Sequence, residues 1–123
     1  MLCRAAVLTA LLCAPAAVLA QTQLELTEQA AKELSAAERQ LKTVHDLLFF
    51  RYGAESKKRL RAAQDAWEVY RDKQCYFENK LTEGGTIHQM LVYQCLKVLT
   101  DLRIAELKRQ ENCQEGDLSC VRD

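Results

Sequence analysis

The chain has 123 residues, enough for one domain, and its 17 basic and 17 acidic side chains leave no formal net charge. Without a basic face, neither nucleic acid nor an anionic membrane surface is expected as its main partner, and charge supplies little steering toward a strongly basic protein. The hydrophobic fraction of 49% is inflated by the first segment.

That segment reads as an export signal. Met1-Leu2-Cys3-Arg4 is a short positive start, and Ala5 to Leu19 is apolar apart from Thr9 and Pro15. Val18-Leu19-Ala20 then offers the small or aliphatic residues a signal peptidase reads. The expectation is a signal peptide over residues 1–20, cleaved after Ala20, and a single domain over 21–123 in the periplasm or outside the cell. The apolar run is shorter than the roughly 20 residues a membrane span needs, so no span is expected after cleavage. Lipid attachment at Cys13 is disfavoured, because Leu11 and Leu12 stand where small residues are wanted. Loss of Arg4 with the leader leaves 16 basic residues against 17 acidic ones.

Ala30, Leu34, Ala37, Leu41, Val44 and Leu48 recur at spacings of four and three, the stripe of an amphipathic helix. The first helix is predicted over about 27–50. Gly53 is read as a left-handed helix stop, and Ser56 as the cap of a second helix over about 57–81. Lys57-Lys58-Arg59 opposes the dipole of that helix and reads as a solvated face rather than an anion site. Its expected inner seam is Leu60, Ala63, Trp67, Tyr70, Gln74, Phe77 and Leu81, with Gln74 needing a partner if buried. Thr82 to Thr86 is a turn on two glycines. The third helix is predicted over about 87–111, with Leu91, Cys95, Val98, Leu102 and Ala105 inward. Tyr93, Leu96, Leu99, Ile104 and Leu107 widen that face enough to touch more than one neighbour or a partner.

Four cysteines remain after the leader: Cys75, Cys95, Cys113 and Cys120. An even number in an exported chain reads as a disulfide framework, whereas zinc thiolate sites favour tight Cys-x2-Cys pairs that are missing here. Cys75 precedes Gly84 by nine residues and Cys95 follows Gly85 by ten. At helical rise both sulfurs would stand roughly 14–15 Å from the turn, so an antiparallel hairpin brings them level. Cys75–Cys95 is therefore favoured among the three possible pairings, leaving Cys113–Cys120 to close a small acidic terminal loop over 113–120. The fold class expected is all-α: a small antiparallel three-helix bundle built on a disulfide-linked helical hairpin.

Trp67-x-x-Tyr70-Arg71-Asp72-x-x-Cys75, then Gly84-Gly85-Thr86, then Cys95-x4-Thr100-x2-Arg103-x2-Glu106-Leu107, resembles the lysozyme-inhibitor LprI-type family over Leu41 to Leu107. Where that family often reads Leu-Asn-x-x-Tyr, Leu41-Lys42-Thr43-Val44-His45 keeps only the Leu, so any role of the other two positions does not carry over. The polar motif residues Arg71, Asp72, Arg103 and Glu106 read as a salt-bridge network between the second and third helices, with Arg71 paired to Glu106 or Asp101.

No nucleophile with a matched base, phosphate loop or metal signature is present, so no enzyme activity and no cofactor or metal is expected. His45 and His88 stand on different helices, and nothing in their spacing makes them converge. The resemblance implies a protein partner, with a lysozyme as the candidate, blocked by a projecting loop. Glu83, Gly84, Gly85, Thr86 and His88 form the first candidate loop, and Glu115 and Asp117 in the terminal loop the second. The alternative is an envelope adaptor that binds another protein or cell-wall material without inhibition.

Overall fold

The computed structural model describes residues 15–123, with side chains from Thr22 onward; the expected leader's first fourteen residues lie outside them. Three α-helices follow in order: α1, Pro15–Arg51; α2, Ala54–Glu78; and α3, His88–Glu111. A single 3-10 turn, Lys80–Thr82, sits between α2 and α3. No strand occurs among the described residues.

α1 starts earlier than the predicted residue 27. Pro15 suits a first helical position, and the Ala-rich residues after it contain no breaker. Its predicted stripe is the core: Ala30, Leu34, Ala37, Leu41, Val44 and Leu48 are all buried. Leu41, Val44 and Leu48 cluster with Tyr52 and with Ile104 and Leu107 of α3, while Leu60 and Trp67 of α2 pack against the edge. α1 and α3 form the closest helix pair. The small Ala30 and Ala37 suit a close approach, whereas α2 meets its neighbours through Gln64, Trp67 and Arg71, long side chains that hold helix axes further apart.

Several expectations are corrected. Gly53 is extended (φ −72°, ψ 179°) and stands as the N-cap of α2 instead of ending α1 in a left-handed conformation. Ser56 lies inside α2, which starts at Ala54, and its hydroxyl bonds the Asp123 carboxylate. Asp123 also accepts the Gly53 amide. A carboxylate from the far end of the chain thus joins Glu55 at the positive N-terminal end of α2. The expected α2 seam is rotated. Cys75 and Gln64 are buried and Trp67 half-buried, while Ala63, Tyr70, Phe77 and Leu81 are exposed. Gln74 is half-buried and bonds Glu78 one turn on. On α3 the buried residues are Val92, Thr100, Ile104 and Leu107, whereas Val98, Leu102 and Ala105 face outward.

Both expected disulfides are present, each with its Cα atoms 5.6 Å apart. Cys75–Cys95 bridges α2 to α3 close to their turn.

Candidate functional site

The glycine turn is built in layers from the end of α2. The Asn79 side chain donates to the Cys75 carbonyl at 2.8 Å, closing the last turn of the helix. The Thr82 hydroxyl donates to the Asn79 carbonyl at 2.8 Å and lies 2.9 Å from His88 Nδ1. With its one proton so committed, the hydroxyl is left to accept from His88 Nδ1–H. The Tyr76 ring lies 6.2 Å from the imidazole. Gly84 is left-handed at φ +78°, where a side chain would be strained. Gly85 donates to the Thr82 carbonyl at 2.9 Å, and a Cβ there would come within 3.1 Å of that oxygen.

The turn is thus fixed at its base and open at its tip. Glu83, Gly84, Gly85 and Thr86 are exposed, Leu81 is fully exposed, and His88 is half-buried. Lys80 pairs with Glu83, and that hydrogen bond holds the Glu83 carboxyl below its ordinary range. Leu81 had been expected inside; its place at an exposed tip follows from the 3-10 turn that ends the α-helical periodicity at Glu78.

The terminal loop stands at the other end of α3, roughly 35 Å away along a 24-residue helix. The two expected binding loops therefore do not form one surface. Asp117 accepts the Ser119 hydroxyl at 2.7 Å and the Ser119 amide at 2.8 Å, and these bonds lower its pKa. Gln110 holds the loop to α3, donating to the Ser119 carbonyl and accepting the Val121 amide, both at 3.0 Å. Glu115 and Asp117 are exposed. An open groove of about 680 Å³ separates this loop from α3 and is lined by Glu106, Arg109, Gln110, Asp117 and Ser119 among others.

Between the two ends, the motif residues make a cluster different from the expected one. Arg71 pairs with Glu38 of α1 at 3.2 Å and with its neighbour Asp72 at 2.9 Å, not with Glu106 or Asp101. It also donates to Thr100 Oγ1 at 3.3 Å. Arg103 pairs with Glu106 at 3.0 Å and donates to Gln64 at 3.2 Å. The two guanidinium carbons stand 5.3 Å and 5.9 Å from the Trp67 ring, which they flank. Leu107 belongs to the core, while Tyr70 is exposed. Glu38 and Gln64 were missed because each looks like an ordinary polar residue of a wet helical face. Only Arg71 and Arg103, long donors near an inner line, hinted that acceptors were needed.

His45 stacks on Phe49 near the C-terminal end of α1, whereas His88 sits at the far end of the hairpin, so the structure does not bring the histidines together. Among the described residues, no group of three His, Cys, Asp or Glu is arranged to hold a metal, and no helix is long and apolar enough to cross a membrane.

A family model described as lysozyme inhibitor LprI matches residues 13–107. Over 49 residues the chain is 49% identical to an uncharacterized protein of Rhizobium meliloti (strain 1021), a match that covers 40% of this chain and 35% of that protein's length. No solved structure matches.

Proposed function

We propose that this chain, which belongs to the lysozyme inhibitor LprI family, is an exported bacterial binding protein that obstructs the cleft of a peptidoglycan-cleaving muramidase in the periplasm or outside the cell. It acts by being held in the cleft, without turnover and without a cofactor. The observation that carries this reading is the glycine turn: an exposed tip at Leu81 and Glu83–Thr86 on a base tied by Cys75–Cys95 and by the Thr82–His88 hydrogen bond. A loop already rigid loses little conformational entropy on entering a cleft. The Thr86 hydroxyl at its tip is a donor of the kind that can approach the paired carboxylates of a glycosidase. The acidic terminal loop with Glu115 and Asp117 is the second contact surface, suited to the rim of a basic enzyme.

A turbidity assay with the oxidised protein tests this. Inhibition is expected for the wild type, with loss on combining Leu81→Asp and His88→Ala and a smaller loss on combining Glu115→Lys and Asp117→Lys. No inhibition by the wild type at large molar excess removes the reading. Inhibition untouched by the turn variant, but lost in the terminal one, moves the contact to the other end of α3.

A further inference from the structure

We propose that the side of the α2–α3 hairpin turned away from α1 is a self-association face, covered by a second copy of this chain. The argument starts from a one-residue offset repeated on both helices. The line of α2 facing inward runs through Gln64, Trp67, Arg71, Cys75 and Glu78. The line of α3 facing α2 runs at helical spacing through Cys95, which is bonded to Cys75 and lies 3.5 Å from Glu78, then Leu99, Arg103, which reaches Gln64, and Glu106. Residues that follow the α3 line by one, Thr100, Ile104 and Leu107, are buried, and Ile104 and Leu107 pack on α1. Residues that precede either line by one include Ala63, Tyr70 and Phe77 on α2 and Val98, Leu102 and Ala105 on α3, all exposed, and Gln74, which is half-buried.

One residue is ~100° of helix rotation. In an antiparallel pair, the same rotation on both helices carries both sets to one side of the pair, opposite α1. These six side chains, with Gln74 between Tyr70 and Phe77, therefore form one uncharged and mostly apolar strip. Tyr70 is 53% exposed, Phe77 75%, Val98 57% and Leu102 58%. Such exposure defeats the amphipathic patterning, because these are the residues whose helical spacing calls for burial.

The occupant follows from chemistry and area. The strip has no acidic or basic side chain of its own, while Arg59, Arg103, Glu106 and Arg109 stand beside its Ala63 and Ala105 end. Two antiparallel helices presenting small residues at one end and aromatics at the other are complementary to their own two-fold image, Ala63 and Ala105 of one copy receiving Phe77 of the other. Exposed aromatics and aliphatics of these sizes amount to roughly 600 Å² per copy. Two copies would bury about 1,200 Å², the lower bound for a stable specific interface. A dimer with micromolar affinity is the expected result, with the two hairpins layered into a four-helix centre.

Sedimentation equilibrium of the oxidised protein from 1 to 500 µM (roughly the range that brackets such an affinity) tests the proposal. The wild type should pass from monomer to dimer within this range. The combined variant Phe77→Glu, Leu102→Glu should stay monomeric throughout, with the wild-type helical circular dichroism. Val98→Lys alone serves if the double variant loses helicity, and Leu47→Glu, an exposed apolar position on α1, should dimerise as the wild type does. A wild type monomeric at 500 µM overturns the proposal, as does a dimer that survives both face variants. So does a monomer that co-sediments with a muramidase through this face. The readout is self-association, so a failed inhibition assay leaves it untouched.

Discussion

The guanidinium of Arg71 lies 3.2 Å from the Glu38 carboxylate, and through this pair α2 reaches α1. The same group donates to Thr100 on α3 and stands over the Trp67 ring. One side chain of α2 therefore touches all three helices, and it can do so because a guanidinium offers several donors in one plane.

Arg71→Met should destabilise the protein by about 1–3 kcal/mol, through lost hydrogen bonds to Thr100 and lost stacking on Trp67. Glu38→Gln should cost less than about 1 kcal/mol, since the Glu38 carboxylate is 46% exposed and readily rehydrated. Arg71→Lys should recover only part of the loss, because an ammonium cannot hold the fork. Urea midpoints decide: if Glu38→Gln costs as much as Arg71→Met, the ion pair rather than the three-way fork is what matters.

The two cross-links should contribute unequally. Cys75–Cys95 spans 20 residues of sequence and Cys113–Cys120 spans seven. By loop-closure entropy the first is worth about 3 kcal/mol and the second about 2.5 kcal/mol or less. Cys75→Ala with Cys95→Ala should lower the melting temperature by roughly 10–20 °C. The terminal pair replaced in the same way should lower it less. A melt unchanged by the first replacement would show that α2 and α3 are held in register without their covalent link.

Asp117 provides a pH handle on the terminal loop. Its pKa is depressed first by the Ser119 hydroxyl and then by the Ser119 amide. A depressed native value means that its contribution to loop stability is complete above the ordinary carboxylate value of 3.8, and is lost as pH falls through the lower native value. NMR titration of the Asp117 carboxyl should place it below the ordinary value in the wild type and nearer to it in Ser119→Ala. A titration that does not move with that substitution would assign the depression to another group.

How much of this was readable in the chain differs by helix. α1 buries aliphatics alone, so its spacing of four and three named the core residue by residue. α2 buries Gln64, Cys75 and parts of Trp67 and Arg71; Trp67 belongs to the expected seam, but apolar periodicity passes over Gln64 and Arg71, polar groups held inside by pairing. It settled instead on Ala63, Tyr70 and Phe77, one residue earlier and ~100° away. α3 misled in the same sense, through Val98 and Leu102. The disulfides were legible because the distances of two cysteines from a glycine turn constrain helical geometry strongly. Gly53 was not, because its conformation answers to Asp123, seventy positions away. The exposed turn and the terminal loop could each be picked out from glycines and cysteines, but their separation to opposite ends of α3 required the assembled helices.

Neither cross-link includes α1. Cys75–Cys95 staples the hairpin and Cys113–Cys120 closes a loop beyond it, so the longest helix stays in place by packing and polar contacts alone. Because the buried cluster lies between α1 and α3, separating α1 under oxidising conditions empties the core and leaves α2 and α3 joined chiefly by their covalent staple. Substitutions that tighten the Ala30-to-Leu48 seam will raise heat resistance, whereas a third cystine within the hairpin will do little for it.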